Sequence, residues 1–389
     1  MGPLDGLKIV EFAAAGPAPM CAMLLADLGA TVLRIDRAVA VELGRKRPLK
    51  FDLVQRGRHV ITLDLKEKEG VALALEVISE ADALIEGFRP GVMERLGLGP
   101  DICMARNPRL VYGRMTGWGQ DGPLARTAAH DLNYIAITGA LHSIGRVDQP
   151  PSIPLNLLGD YAGGSLYLAF GILAAIHETS HSSKGQVVDA AIVDGVMSLM
   201  TGLYGSLAAG LCQLKRGTNV TDSGAPFYNV YECADGKWIS VAPVEKRFFN
   251  ELLECIGIDL KEIPDRMDRS GWANAHKLLA AKFRTRTREE GCDVLEGTDA
   301  CFAPVLSMSE VSQHPQIVAR KVMIDIDGVS QPAPAPRFGR TVPSMPAAPR
   351  SATREEAMAS LPLWFGVARL GELAKTGTLD AVMASVTKD

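Results

Sequence analysis

The N-terminal part of the chain alternates short apolar runs with amphipathic stretches. Residues 7–12 have the apolar character of a strand, residues 18–28 have helical spacing, and residues 30–35 form a second apolar run that ends at Asp36. Further strand-like runs alternate with helical stretches such as the one at residues 68–80; these runs lie at residues 59–63, 83–85 and 110–114. The alternation predicts an α/β fold with a parallel sheet covered by helices, in a Rossmann-like arrangement.

The later part of the chain predicts a smaller α+β domain. Its first strands form a hairpin that turns at Asp235 and Gly236, and helices are expected at residues 248–255 and 273–283. Residues 332–349 are rich in proline and are expected to be extended, and Thr353 is expected to begin helices that continue to the C-terminus. The pattern predicts a large domain at 1–190, to which 323–389 returns, linker helices at 191–226 and a small domain at 227–322.

Residues 190–212 are almost wholly apolar. Their length resembles that of a membrane span, but they contain Asp194 and four glycines. We expect one or two buried helices here.

The turn after the first predicted strand does not fit a dinucleotide-binding loop. It contains Gly16 between Ala13 and Pro19, and it lacks the Gly-x-Gly-x-x-Gly pattern of such loops. Asp36 ends the second strand, where a dehydrogenase binds ribose, but Arg34 and Arg37 beside it suit a phosphorylated ligand better. A nicotinamide-dependent oxidoreductase is therefore a disfavoured alternative.

Composition narrows the functional classes further. The chain has 389 residues and a net charge of −4, which gives no global attraction to nucleic acid or an acidic membrane surface. Its seven cysteines include no Cys-x-x-Cys pair, and its N-terminus lacks the features of a signal peptide. We expect a cytoplasmic protein that binds neither nucleic acid nor membrane.

One short motif resembles a zinc site. Residues 177–181 match His-Glu-x-x-His, but Ser182, Ser183 and Gly185 end the helix directly afterwards. No Glu or His follows closely enough to supply a third ligand, so we expect no metal at this motif.

Two short segments carry candidate acid and base groups. His130 lies in the segment at 129–134, and Asp160 lies directly before a long apolar helical run. A carboxylate there is close to unpaired backbone N–H groups that could also stabilise an oxyanion. Asp160 is equally well explained as a helix cap, and the sequence alone does not show that the two residues meet.

An ordered series of motifs extends over most of the chain and carries a family resemblance. The motifs lie at residues 6–12, 26–37, 63–66, 86–92, 115–120, 130–131, 159–160, 185–191 and 224–226. In this series the chain resembles the family III CoA-transferases, of the CaiB/BaiF type, and within them the α-methylacyl-CoA racemases. The resemblance implies an interlocked homodimer whose active sites lie between the large domain of one subunit and the small domain of the other.

The residues themselves indicate how a racemase would act. His130 would remove the proton next to a thioester carbonyl and Asp160 would return one to the opposite face, with the roles exchanged in the reverse direction. Backbone N–H groups of Asp160 and Tyr161 would hold the enolate oxygen. The substrate is then an acyl-Coenzyme A thioester, and no metal or other cofactor is expected.

The resemblance also suggests supporting residues. It points to Glu245 as a carboxylate that positions the imidazole, and to a polar wall and substrate contacts formed by Ala129, Asp131, Tyr134, Asn156 and Tyr228. The plausible partners of the Coenzyme A phosphates are Arg37, Lys66, Arg89 and Arg95, and the adenine side would be lined by residues 63–66, beginning with Leu63, and by Glu86.

Two alternatives remain open. In a CoA-transferase, Asp160 would be a nucleophile that forms an acyl anhydride, and in a non-catalytic protein the fold would only bind acyl-CoA. The presence of His130 favours the racemase. The sequence also departs from the racemase pattern, because Ala129 stands where glycine is usual and the tail after Thr353 is longer than expected; the acyl chain itself is not determined.

Overall fold

The computed structural model describes residues 2–38, 47–263, 265–376 and 379. The strands in this part of the chain are β1 (Lys8–Phe12), β2 (Thr31–Arg37), β3 (Arg58–Leu63), β4 (Ala83–Glu86), β5 (Val111–Thr116), β6 (Val187–Ala191), β7 (Asn229–Glu232), β8 (Trp238–Val241), β9 (Phe302–Val305), β10 (Met323–Ile326) and β11 (Val329–Pro332).

The α-helices are α1 (Pro17–Asp27), α2 (Lys68–Ser79), α3 (Val92–Arg95), α4 (Pro100–Arg106), α5 (Asp131–Ala136), α6 (Ala140–Ser143), α7 (Leu166–Ser182), α8 (Ile192–Leu199), α9 (Thr201–Ala208), α10 (Lys246–Ile256), α11 (Trp272–Phe283), α12 (Arg288–Leu295), α13 (Pro315–Ala319), α14 (Arg354–Trp364) and α15 (Val367–Lys375). A π-helical segment, Leu157–Ser165, continues directly into α7.

The chain forms two compact units. The first contains residues 1–138, 155–199 and 321–389, and the second contains residues 139–154 and 200–320. These units differ from the expected domain division, because they place residues 139–154 in the second unit and residues 191–199 in the first. The division into large domain, linker helices, small domain and C-terminal return stays a prediction.

The first unit is built on a six-stranded parallel sheet in the order β3-β2-β1-β4-β5-β6. The expected α/β fold with a parallel sheet is therefore confirmed. Its central strands are apolar on both faces, as parallel strands covered by helices must be. Val10, Leu33, Ile61 and Leu84 are fully buried in one core cluster, where they pack with Val77 of α2.

The C-terminal tail packs into the same core. Leu361 and Trp364 of α14 are almost completely buried there, and Trp364 donates a hydrogen bond from Nε1 to the carbonyl of Val77 at 2.7 Å. As expected, Thr353 caps α14, since its side chain accepts the N–H of Glu356 at 3.2 Å. The predicted helical continuation beyond residue 379 lies outside the described residues.

The second unit contains the antiparallel sheet β7-β8-β9 and helices α10 to α12. Its first two strands form the predicted hairpin. In α10, Phe249, Leu252, Leu253 and Ile256 recur at helical spacing and are buried in one cluster with Phe283 of α11. The apolar face of α10 therefore explains the core of this unit.

The apolar run at residues 190–212 differs from its expectation. It divides into the end of β6, then α8 and α9, and α9 buries none of its side chains within this chain. Leu203 and Leu207 of α9 are exposed on this chain, so the expected burial is found for α8 but not for α9 within a single chain.

A different helix has the length and apolar composition of a membrane span. The continuous helix Leu157–Ser182 meets both criteria, and one third of its most apolar stretch is buried. In the first unit it packs against β5, β6 and α1, and the core helix of a globular protein meets the same criteria.

Candidate active site

The parallel sheet of the first unit has a topological switch point at its carboxyl edge. The strand order changes direction at β1, because β2 and β3 lie on one side of it and β4, β5 and β6 lie on the other. Ligands of open α/β sheets bind at such switch points. Gly16, in the loop after β1, lies there, and a Cβ atom on it would be 3.5 Å from Oδ2 of Asp160. Asp160 is therefore at the switch point.

Asp160 lies inside a helix rather than before one. It is the fourth residue of the π-helical segment Leu157–Ser165, and Asn156 occupies the capping position. This corrects the expectation that Asp160 precedes the helix as a cap. Single π-helical turns are rare and frequently occur at functional sites. The side-chain amide of Asn156 donates to Oδ2 of Asp160 at 3.4 Å.

His130 precedes the short helix α5. Its backbone N–H donates to Oδ1 of Asn133 at 3.1 Å, and its carbonyl accepts the N–H of Asn133 at 2.8 Å. The His130 side chain is exposed, and the residue is close enough to Asp160 for the charge of a protonated imidazole to favour the ionised carboxylate. The two residues that the sequence paired are thus brought to one place.

The environment of Asp160 favours its protonated form. Burial raises the pKa of this carboxyl group, and the negative charge of Asp131 raises it further. The hydrogen bond from Asn156 and the charge of His130 act in the opposite direction and lower the pKa, but the net shift is upward. A carboxyl group with a raised pKa is suited to donate and accept protons.

Asp131 connects the two candidate groups. It follows His130 directly, is 7% exposed, and accepts the backbone N–H of Asp160 on Oδ2 at 2.7 Å. A substrate contact, which the sequence suggested for Asp131, does not fit a carboxylate that is buried in this way. The close approach requires Gly159, because a Cβ there would be 2.3 Å from Oδ2 of Asp131.

The expected oxyanion site at Asp160 and Tyr161 is not available. The N–H of Asp160 is bound by Asp131, and the N–H of Tyr161 donates to the carbonyl of Asn156 at 3.3 Å. By contrast, the N–H groups of Asp131 and Leu132, in the first turn of α5, make no hydrogen bond within the described residues. Both donors lie within two residues of His130 in the sequence.

Tyr134 forms a wall of the site. Its hydroxyl donates to the carbonyl of Ala129 at 2.6 Å, and its ring meets Trp118 edge-on with the centroids 4.7 Å apart. The ring occupies the space that a side chain at Gly117 would need, since a Cβ there would be 1.9 Å from Cζ of Tyr134. Burial raises the pKa of Tyr134, Asp160 raises it further, and Arg89 lowers it.

Four exposed cations follow the sheet strands or the next short helix. Arg37 ends β2, Lys66 follows β3, Arg89 follows β4, and Arg95 ends α3. The carboxyl ends of parallel strands share one edge, so the first three lie along the edge that holds Asp160. Exposed guanidinium and ammonium groups at such an edge can bind phosphate groups.

The buried carboxylate of Glu86 stabilises the loop that carries Arg89. Oε2 of Glu86 accepts the N–H of Phe88 at 2.7 Å, and Oε1 accepts Nε of Arg114 at 2.9 Å. The guanidinium of Arg37 lies 5.0 Å from the centre of the Phe88 ring. Burial raises the pKa of Glu86 to about 7.

Two residues that were expected to line the adenine side of the Coenzyme A site are completely buried. Glu86 is 0% exposed, and Leu63 is 0% exposed within the core of the first unit. Their assignment to a ligand wall is corrected, because both side chains face the interior. Their burial was predictable from the sequence, since each of these residues is the last one of an apolar strand.

The remaining two predicted residues, Tyr228 and Glu245, belong to the second unit. Both are exposed; Glu245 occupies the capping position of α10, and its carbonyl accepts the N–H of Phe249 at 3.0 Å. Their roles stay predictions.

The first unit also contains site residues that the sequence did not assign. Trp118 and Gly117 lie in the motif at residues 115–120, and Asn133 lies in the segment at 129–134, but the sequence predicts no role for any of the three. The Nε1 atom of Trp118 is buried and has no hydrogen-bond partner among the residues that the structure describes. The two glycines that flank Trp118 were the sequence feature that could have indicated close packing at this position.

The described residues contain no cluster of three histidine, cysteine or acidic side chains that could hold a metal ion. At the His-Glu-x-x-His motif, Nδ1 of His181 lies 2.9 Å from the carbonyl of His177, and α7 ends at Ser182.

Comparison with known proteins agrees with this architecture. Residues 4–354 match CoA-transferase family III. The α-methylacyl-CoA racemases of Mus musculus and Homo sapiens are each 40% identical to this chain, over 348 residues (89% of both chains) and 346 residues (88% of both chains). The crystal structure of a CAIB/BAIF family protein from Brucella suis has a TM-score of 0.79 at 26% identity, covering 93% of this chain and 99% of that one. The chain therefore belongs to CoA-transferase family III.

Proposed function

We propose that this protein is an α-methylacyl-CoA racemase that interconverts the (2R) and (2S) thioesters. The observation that carries the proposal is the meeting of His130 and Asp160 at the carboxyl edge of the sheet, with burial raising the pKa of Asp160. The identity of 40% to two racemases over most of the chain supports it.

The proton transfers follow from the two groups. Neutral His130 takes the α-proton, the electron pair of the broken C–H bond moves into the thioester carbonyl, and an enolate forms. Protonated Asp160 then donates its proton to the opposite face of the α-carbon, and the carbonyl is restored. The enzyme is left with a protonated His130 and an ionised Asp160, which is the form required for the reverse reaction.

We place the enolate oxygen at the first turn of α5. The N–H groups of Asp131 and Leu132 have no partner there within the described parts of the chain, while those of Asp160 and Tyr161 are occupied. Hydrogen bonds that strengthen as the negative charge develops often contribute about 3 kcal/mol to such a step. The thioester itself accepts the electrons, so the proposed reaction uses no metal or other cofactor.

The Coenzyme A part of the substrate is proposed to lie along the edge that carries Arg37, Lys66 and Arg89, with Arg95 beside it. Their exposed charges match the phosphates and pyrophosphate. We retain Asn156 and Tyr228 as polar wall residues and Glu245 as the carboxylate that positions the imidazole. A role in cytoplasmic fatty-acid metabolism is part of the same proposal.

We also propose a homodimer. In the first unit, Leu166 and Phe170 of α7 are 53% and 72% exposed, and in the second unit α9 presents Leu203 and Leu207 to solvent. Apolar helix faces of this kind are usually covered by another chain. Light scattering should give twice the chain mass of 41.6 kDa, and a monomer at micromolar concentration would contradict the proposal.

The decisive experiment is proton NMR in D2O with a single-enantiomer 2-methylacyl-CoA, followed by chiral analysis of the released acid. We expect exchange of the α-proton with racemisation, and a loss of about 10³-fold or more in His130→Ala and Asp160→Ala. His177→Ala is the matched control, because His177 is an exposed histidine on α7, and it should retain full activity.

A CoA-transferase is the alternative that the family name keeps open. In that reaction Asp160 would attack the thioester carbonyl and release the CoA thiolate, leaving an acyl anhydride on its carboxylate. CoA transfer to an added carboxylic acid, without α-proton exchange, would establish the transferase and refute the racemase.

A further inference from the structure

Asp131 makes a contact that neither proton transfer requires directly. Its Oδ2 atom accepts the backbone N–H of Asp160 at 2.7 Å, across 29 positions of sequence. Its other oxygen, Oδ1, is buried and has no hydrogen-bond partner in the part of the chain that the structure describes. A buried carboxylate with no cation within ion-pairing distance in the described residues is costly, so the position is unusual for a purely structural residue.

The contact is built into both helices that meet there. Gly159 leaves the space that the carboxylate fills, since a Cβ there would also be 3.0 Å from Cγ2 of Ile135 in α5. His130 is the residue before Asp131, and Asp160 is the residue after Gly159. The same hydrogen bond therefore fixes the backbone beside the imidazole relative to the backbone that carries the carboxyl group.

We propose that Asp131 is a positioning residue, whose carboxylate sets both the spacing and the charge balance of the His130–Asp160 pair. This proposal rests on the racemase function for its kinetic consequences, but not for its structural ones. Asp131 does not contact the reacting atoms through its side chain; it acts through Asp160.

The charge of Asp131 has a direction that can be measured. It raises the pKa of Asp160, in the company of the other groups that face this carboxyl group: the positive charge of His130, the amide of Asn156 and the nearby phenol of Tyr134. Removal of the Asp131 charge leaves the lowering influences of His130 and Asn156 in place. Asp160 should then lose its proton at lower pH.

The test is the substitution Asp131→Asn, which keeps an oxygen able to accept the N–H of Asp160 and removes the charge. We expect the carboxyl ¹³C signal of Asp160, assigned with Asp160→Asn, to titrate about one pH unit lower than in the parent protein. In the direction in which ionised Asp160 removes the α-proton, the acidic limb of kcat/KM should move down by the same amount. A merely structural residue would lower the rate without moving the limb.

The matched control is Asp189→Asn. Asp189 also accepts a backbone N–H, that of Gln120 at 3.2 Å, but it does not contact Asp160. Both the titration of Asp160 and the acidic limb should stay unchanged in this variant. If Asp131→Asn does not fold, Asp131→Ser offers a smaller acceptor for the same N–H.

The outcomes separate the two proposals. A parent protein that exchanges no α-proton refutes the racemase function, and the NMR titration then still decides the role of Asp131. An Asp160 titration that is the same in Asp131→Asn as in the parent overturns the positioning role, even if racemisation is confirmed.

Discussion

The first unit contains fully buried carboxylates and a partly buried one, Asp160, and their surroundings differ. Glu11 meets Nε of Arg58 at 2.9 Å, and neither side chain has exposed surface. Asp27 meets Arg56 at 2.6 Å in a similar pair. Asp160, in contrast, has an amide at 3.4 Å and a second carboxylate nearby, with no cation in ion-pairing distance among the described residues.

This difference separates a structural carboxylate from one able to move protons. A guanidinium partner compensates a buried negative charge and holds it in place, so both groups become part of the fold. A carboxyl group without such a partner keeps a raised pKa and can exchange its proton with a substrate. Substitutions in the carboxylate–guanidinium pairs should therefore lower the stability of the fold. A substitution of Asp160 should instead abolish activity.

The largest stability effect is expected for Arg58→Met, which leaves Glu11 as an uncompensated buried charge. Loss of one partner of a buried pair should lower the free energy of unfolding by about 4 kcal/mol, measured by denaturant titration. The double variant Arg58→Met with Glu11→Gln should recover part of this loss. If Arg58→Met is as stable as the parent, the pair does not stabilise the fold, and the distinction between structural carboxylates and Asp160 does not hold.

Glu86 is an intermediate case, because it shares Arg114 with Glu94, whose Oε1 lies 2.8 Å from that guanidinium. Its pKa is raised from 4.5 to about 7 by burial. The folded protein therefore holds this proton more tightly than the unfolded chain does. The stabilisation is complete below the unfolded pKa and is lost as the pH rises toward 7.

Glu86→Gln should remove this part of the pH dependence. The free energy of unfolding of the parent, relative to the variant, should fall by about 2 kcal/mol between pH 4 and pH 7. Urea titrations at several pH values measure it, with Glu69→Gln as the control, since Glu69 is exposed on α2 and is not an ion-pair partner of Arg114. A parallel pH dependence in parent and variant would mean that Arg114 keeps Glu86 ionised in the folded protein.

The fold was more predictable than the site, for a physical reason. Strands such as β1 and β3 and helices such as α1 and α2 are defined by local apolar periodicity, and the sequence placed them within one or two residues. The burial expected for helix α9 is not found within one chain, because an apolar helix has the same pattern whether its partner is its own chain or another one.

The site depends on contacts between distant segments. His130 and Asp160 were identifiable, but the π-helical turn around Asp160 arises where Gly159 packs against Asp131, which no local pattern reports. The burial of Glu86 was predictable from the apolar strand that it ends, but its charge favoured the prediction of a ligand contact. Short-range spacing thus predicts which residues carry chemistry better than it predicts which of their atoms are already occupied.

The smallest stability effect is expected for Asp160→Asn. Because burial raises the pKa of Asp160 in the folded protein, the stability contributed by its proton is present below the unfolded pKa and is lost as the pH rises. At neutral pH the variant should match the parent or exceed it by a few tenths of a kcal/mol, since Asp160 is partly exposed and its charge is screened. Racemisation should be abolished in the same sample. Thermal unfolding beside the D2O exchange assay measures both, and a loss of stability comparable to that of Arg58→Met would show that Asp160 belongs to the structural carboxylates after all.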